Sequence, residues 1–204
     1  MKDAKIMKTT IALIAALSFA TAALAVEVGK PAPDFTGTTI DSKTVHLSDY
    51  KGKIVVIESY NSDCPYCNNQ YKTGAMPELQ KDLAAKGVVW LIVNSVNPHN
   101  DSHRTPAQAK QERVDKKITA DAWIDDSSGQ IGHLYGMLTT PHMFVINKDG
   151  TLVYDGAIDN VPDPKHDPAK ARNYVKEAVD DLQAGKPIEV SQTKPYGCGV
   201  KYAD

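Results

Sequence analysis

Beyond residue 25 the chain alternates between short apolar runs and stretches with a helical repeat. Ile54-Val55-Val56-Ile57 and Val88-Val89-Trp90-Leu91-Ile92-Val93 are apolar without a break. Runs with no polar face suit central strands covered by helices on both sides of a sheet. Between them, Pro65 to Lys86 reads as helix ended by Gly87, and Pro77 is expected to kink it or divide it. Ahead of the first run, Phe35 to Leu47 reads as a hairpin turning through Asp41-Ser42-Lys43. After the second, 94–104 is polar loop. Thr105-Pro106-Ala107-Gln108 then supplies an N-cap, a proline at the first helical position and a glutamine that closes a capping box. Ala122-Trp123-Ile124 is a third short strand and Ile131 to Tyr135 a short helix. Met143 to Ile146 and Thr151 to Tyr154 flank Asn147-Lys148-Asp149-Gly150, two strands around an Asp-Gly turn. In the last helix Asp167 is the expected cap, Pro168 the opening and Gly185 with Pro187 the close. Ala171, Tyr174, Val175, Ala178, Val179 and Leu182 fall on one apolar stripe there. The order predicts one α/β domain over 26–185, with a mixed central sheet flanked by helices, then a tail over 186–204 without periodicity.

The first 25 residues follow a different rule. Lys2, Lys5 and Lys8 precede an apolar run from Ile11 to Ala25 that closes on Ala23-Leu24-Ala25. A basic head, a short apolar body and a small-x-small end describe a secretory signal peptide. The run is shorter than the roughly 20 residues a membrane span needs. Removing it takes three Lys and one Asp and leaves a net charge of −4, against −2 for the whole chain. The expected location is periplasmic or secreted, without stable membrane insertion after cleavage. Disulfides persist in such a compartment, so the three cysteines become the first chemical question. No basic run or stripe marks a nucleic-acid partner.

Cys64-Pro65-Tyr66-Cys67 follows an apolar strand and opens a helix. The first sulfur faces unpaired N–H groups and the positive end of the helix dipole, which favour the attacking thiolate. The second, one turn in and less exposed, is placed to resolve a mixed disulfide. Half a zinc site would need another Cys pair or a well-placed His pair, and Cys198 stands alone. A purely structural bridge closing so short a loop would add little stability.

With Met76-Pro77-Glu78-Leu79, Lys86-Gly87-Val88-Val89, Tyr135-Gly136 and Thr139-Thr140-Pro141, the CPYC turn resembles the redoxin branch of the thioredoxin superfamily. That branch holds TlpA-type thiol–disulfide oxidoreductases and peroxiredoxin-like, AhpC/TSA-related proteins. The resemblance spans about Val28 to Gly185. It implies a thioredoxin fold with an N-terminal hairpin and an inserted helical segment, with Cys64 as nucleophile and Cys67 as resolving thiol. It also implies that Pro141 is a cis-proline lying against the CxxC, which would leave Thr140 free to pair with an extended peptide. Pro65 and Tyr66 join Thr140 on the expected substrate-binding side. Glu58 sits where a buried acid in thioredoxins moves protons for the second Cys; a strand-end acid pointing to solvent is the other reading.

The expected activity is therefore disulfide exchange with protein or small-molecule disulfides and thiols, including a redox partner protein, and without a dissociable cofactor. Two departures bear on it. Asp63 precedes the first Cys where thioredoxins usually carry Trp, and a carboxylate there opposes thiolate formation. Asn61 and Ile57 stand where peroxiredoxins carry a hydroxyl residue and a proline, which counts against peroxidase chemistry. Peroxidase chemistry is nonetheless the first alternative, with Cys198 or Cys67 resolving an oxidised Cys64. Cu(I) binding by Cys64, Cys67 and His142 is the second, since His142 follows Pro141. The remaining histidines, His46, His99, His103, His133 and His166, are expected on the solvated surface.

Overall fold

The two unbroken apolar runs form strands whose side chains alternate between two cores. In the computed structural model, which describes residues 26–203, β3 (Val55–Ser59) and β4 (Val89–Asn94) are buried at every position. Val56, Trp90 and Ile92 face one core; Val55, Ile57, Val89, Leu91 and Val93 face the other. A period of two applied to a fully apolar segment has this result.

Around them lie β1 (Thr36–Thr39), β2 (Thr44–His46), β5 (Ala122–Asp125), β7 (His142–Ile146) and β8 (Leu152–Gly156). The sheet order is β2-β1-β5-β4-β3-β7-β8. β3, β4 and β5 run parallel, and the other neighbouring strands pair antiparallel. On one face pack α1 (Pro65–Lys72), α2 (Ala75–Ala85), α3 (Pro106–Asp115) and α5 (Tyr174–Gln183). The other face is covered by α4 (Gln130–Tyr135) and by residues near the start of the described chain, Phe35 and Leu47 among them. This is the mixed α/β sandwich of the thioredoxin fold. Among the described residues no helix is long and apolar enough to cross a membrane. The predicted signal peptide, 1–25, lies outside the described residues.

Two expectations are corrected. The helix after the CxxC divides at Gly74, not at Pro77. Gly74 takes a left-handed φ of 84° and becomes the N-cap of α2. Pro77 then falls in the first turn of α2, where its missing N–H has no helical partner to lose. The last helix begins at Tyr174. Asp167 and Pro168 open a separate 3-10 turn, Pro168–Lys170, and Asn173 caps α5 through its side chain to the Lys176 N–H at 2.8 Å. Ala171 therefore leaves the helical stripe, because Asn160 holds the intervening chain extended through bonds to both Arg172 backbone groups. The periodless tail is also paired: β9 (Cys198–Gly199) lies antiparallel to β6 (Thr139–Thr140). Two-residue strands are too short to leave a periodic trace.

Leu91 is wholly buried in the central strand. Leu91→Ala is expected to cost about 3 kcal/mol. A lower midpoint of urea unfolding, with an unchanged slope, would show it.

Candidate active site

The end of β3 delivers the site. Backbone leaves the sheet after Ser59, and Cys64 becomes the N-cap of α1 with Pro65 at its first position. Proline loses nothing there and has its φ preset for the helix. Cys67, one turn in, is completely buried, and Cys64 is 2% exposed. All three cysteines are free thiols.

The two sulfurs of the pair are driven in opposite directions. Cys64 is held well below the ordinary thiol range, at about 4, chiefly by the hydrogen bond from the Cys67 thiol. Burial opposes this, while bonds to Thr140, to the Cys198 thiol and to the Cys67 backbone N–H add to the lowering. The protonated Cys64 thiol donates to the Thr140 carbonyl at 2.8 Å. Cys67 is pushed well above its ordinary value by burial first, then by its bond to Cys64 and that sulfur's charge, with Glu58 adding to it. Asp63 does not blunt this contrast: it is half exposed and ion-paired with Arg104. Its expected effect on Cys64 is corrected accordingly, since an exposed carboxylate paired with a guanidinium exerts little field on a neighbour.

Glu58 points inward. It shares the face of Val56 through the strand alternation and is fully buried. Oε2 accepts from Tyr71 Oη at 2.8 Å and Trp90 Nε1 at 2.9 Å, while Oε1 is unpartnered. Burial raises its pKa to about 7, against the lowering from Tyr71, Trp90 and the charge of Lys116.

The Thr140–Pro141 peptide bond is cis. Thr140 is not free, however, because its strand partner is Cys198 in the protein's own tail. Tyr66 packs against Tyr196 with ring centroids 5.7 Å apart. His142 lies away from the cysteines. Residues 141 and 142 are neighbours in sequence, but the strand alternation sends the His142 ring toward Phe144 on the opposite face of the sheet. Its Nδ1 accepts from the Leu138 N–H, and its Nε2 bonds Asp155 at 2.7 Å. Both nitrogens are engaged, so Cys64, Cys67 and His142 make no copper site. Among the described residues no group of three His, Cys, Asp or Glu could hold a metal ion. His166 is likewise not a surface group; its side chain is 8% exposed and bonds Asp159. A cavity of about 230 Å³ lined by Leu47, Tyr50, Val55 and Lys148 lies at the other end of β3, away from the sulfurs.

Spacing pointed to Cys64 and Cys67, and the structure places Glu58, Thr140, Pro141 and Cys198 around them. Tyr196 and Tyr202 fall in the Pro195–Tyr202 stretch around Cys198, but nothing in the sequence marks them as the anchors of the tail, since an aperiodic segment does not show which aromatics dock.

Fold and geometry define a thioredoxin-fold protein with a buried dithiol at a helix N-terminus. Residues 28–155 match the AhpC/TSA family, and the chain belongs to it, an oxidoreductase of the redoxin branch. It is 30% identical over 155 residues to the thiol-disulfide oxidoreductase ResA of Geobacillus thermodenitrificans, covering 72% of this chain and 83% of that one. The ResA of Bacillus thuringiensis subsp. konkukian is 29% identical over 131 residues, or 63% and 69% of the two chains. Among solved structures, an uncharacterized conserved protein from Geobacillus kaustophilus aligns with a TM-score of 0.76 at 24% identity, covering 88% of this chain and 94% of that one.

Two outcomes follow from the site. Between about pH 4.5 and about 7 the unfolded chain releases a proton that Glu58 keeps when folded. Stability of the reduced protein is therefore expected to fall as pH rises through that window, by roughly 3 kcal/mol from this group. Denaturant midpoints measured against pH should show the slope, and Glu58→Gln should remove it. Gly197 has a φ of 139°, and a Cβ there would meet the Thr140 carbonyl oxygen at 2.1 Å. Gly197→Ala is expected to lift the tail and speed alkylation of Cys64 by about tenfold or more.

Proposed function

We propose that this chain is a secreted thiol–disulfide oxidoreductase whose Cys64 and Cys67 exchange disulfides with protein or small-molecule partners. One observation carries the reading: two thiols one helical turn apart are driven to opposite ends of the thiol range, with a buried carboxyl near neutrality among the groups acting on the higher one. Pairs of groups whose environments separate their proton affinities mark acid and base roles.

In the reducing direction the Cys64 thiolate attacks one sulfur of a substrate disulfide. A mixed disulfide forms and the other substrate sulfur leaves as thiolate. Glu58, as carboxylate buried on the same side of the sheet as Cys67, takes the Cys67 proton, and Cys67 then attacks Cys64. The Cys64–Cys67 bond forms and the reduced substrate departs. Oxidation of a partner dithiol is the same path reversed. The ResA relatives support this substrate class, and the leader-like pattern of residues 2–25 supports an oxidising compartment. Pro141, Thr140, Pro65 and Tyr66 border the sulfurs and would shape the partner's approach.

A thiol peroxidase is the second reading, and the pairing of Cys198 with Thr140, whose carbonyl Cys64 touches, favours it. Peroxide would then oxidise Cys64 to a sulfenic acid, and Cys198 would condense with it, releasing water.

Cys67→Ser combined with Cys198→Ser, incubated with a disulfide-bonded test protein, is expected to accumulate a mixed disulfide at Cys64, and Cys64→Ser combined with Cys198→Ser to form none. Exchange by Cys64→Ser at the parent rate would overturn the assignment. A reaction of the reduced protein with hydrogen peroxide much faster than that of an ordinary acidic thiol would favour the peroxidase. In Glu58→Gln the resolving step is expected to slow by about tenfold or more and to lose its pH dependence near neutrality.

A further inference from the structure

The reacting sulfurs lie under the protein's own C-terminal segment. Cys64 is 2% exposed and Cys67 is 0% exposed, whereas Cys198 is only half-buried. Of the three cysteines, Cys198 is the most exposed.

The segment is seated as a substrate strand would be. Thr140 pairs with Cys198 and Thr139 with Gly199 in antiparallel register, and the Val200 N–H reaches the Leu138 carbonyl. These pairings use the backbone edge that an extended peptide would otherwise occupy. The register sets Cys198 opposite Thr140, whose carbonyl the Cys64 thiol reaches at 2.8 Å, and packs Cys198 against the cluster that holds Cys64 and Cys67. Gly197 lets the strand approach closely, with no Cβ to strike Thr140.

Both flanks are tied down. On one side Tyr196 donates to Asp159 at 2.5 Å and packs against Tyr66. On the other, Tyr202 donates to the Met137 carbonyl at 2.9 Å and stacks on His133, with ring centroids 3.9 Å apart. Asn97 bonds the Lys201 and Tyr202 carbonyls. A partner must either lift a segment fastened at two points or take up the exchange at Cys198.

We infer that the tail is a tethered substrate strand and that Cys198 is the third thiol of an internal relay, passing disulfide exchange between the covered Cys64–Cys67 pair and dithiol or disulfide partners outside. The inference rests on the reading of Cys64–Cys67 as an exchange pair. From the oxidised enzyme, the Cys198 thiolate attacks Cys64. The Cys64–Cys198 bond forms and the Cys64–Cys67 bond breaks. Cys67 leaves as thiolate and takes up a proton, equivalent to the one Cys198 has lost. One disulfide stands before and after, so no oxidant is consumed. An external dithiol then attacks the Cys198 sulfur, and Cys64 departs as thiolate. The partner's second thiol attacks its own sulfur in that mixed disulfide, releasing Cys198 and leaving the partner oxidised and the enzyme reduced.

The electrostatics favour the step in which Cys64 departs. Cys64 is the most acidic of the three and so the best leaving group. Cys198 is raised to about 12 by burial first, then by its bond to Cys64 and that sulfur's charge. The last two causes vanish once Cys64 is in a disulfide, which makes Cys198 a better nucleophile in the state where it must attack.

The test uses the full chain, reduced, then treated with a limiting amount of oxidised glutathione, quenched in acid, alkylated and mapped by peptide mass spectrometry. The expected result is a Cys64–Cys198 bridge alongside Cys64–Cys67, and Cys64–Cys198 as the intramolecular bridge in Cys67→Ser. Cys198→Ser is expected to keep Cys64–Cys67 disulfide formation yet to slow reduction of insulin disulfides by about tenfold or more. A Cys198 recovered always as free thiol, with Cys198→Ser as fast as the parent or faster, would overturn the relay and make the tail a displaceable cover. The Cys64–Cys67 assignment would survive that result. Absence of any Cys64–Cys67 bridge, with Cys64→Ser still active on insulin, would overturn both.

Discussion

A charged carboxylate removed from water costs several kcal/mol, and the two hydrogen bonds Glu58 receives offset only part of that. The protein places this group at the centre of its sheet, and much of the site follows from it. Tyr71 on α1 and Trp90 on β4 are turned inward to serve the same oxygen, which ties the helix of the dithiol to two parallel strands. Gln80 on α2 donates to Tyr71 Oη at 3.0 Å and extends the tie to the next helix. The unmet balance appears as a proton held to near neutrality. A charge-bearing group is thus kept where a fully apolar core would be more stable.

The same polar seam reaches outward. Tyr60 packs edge-on against Tyr71 and donates to Glu112 at 2.5 Å, and Lys116 bridges Glu112, Tyr60 and the start of α1 through Asn68. α3 and the residue after it therefore bring balancing charges to the dithiol's side of the sheet. Arg104, just ahead of α3, pairs with Asp63 and takes up a carboxylate that would otherwise act on Cys64. Through Lys116 this part of the chain lowers the pKa of Glu58 against the effect of burial.

Covering that pair with the chain's own tail alters how its chemistry is reached. An exposed thiolate with a low proton affinity is open to any passing oxidant. Under the tail, Cys64 is screened while keeping its ionisation, because Cys67, Thr140 and the tail's own Cys198 stabilise its charge. The tail also satisfies backbone groups of Thr139 and Thr140 that would otherwise be an open strand edge. One short pairing thus protects an edge and limits access to a reactive sulfur.

Local rules carried much of this into the sequence. Unbroken apolar runs announced β3 and β4, since burial on both faces leaves no polar position. The capping box at Thr105, the Asp-Gly hairpin and the Cys-x-x-Cys turn were legible because each depends on contacts within a few residues. Where two local signals competed, the reading went astray: Gly74 ended the helix before Pro77, and Asn173 displaced Asp167 as the cap. The depth of Glu58, the face of His142 and the docking of Cys198 were set by tertiary structure alone. Glu58 is buried because β4 and α1 close over it; His142 is turned away because a strand alternates from its first residue. Cys198 comes to the Thr140 edge beside Cys64, 134 positions back in the chain, because two-residue strands, held by tyrosines with no periodic signature, find an edge that exists only in the folded protein.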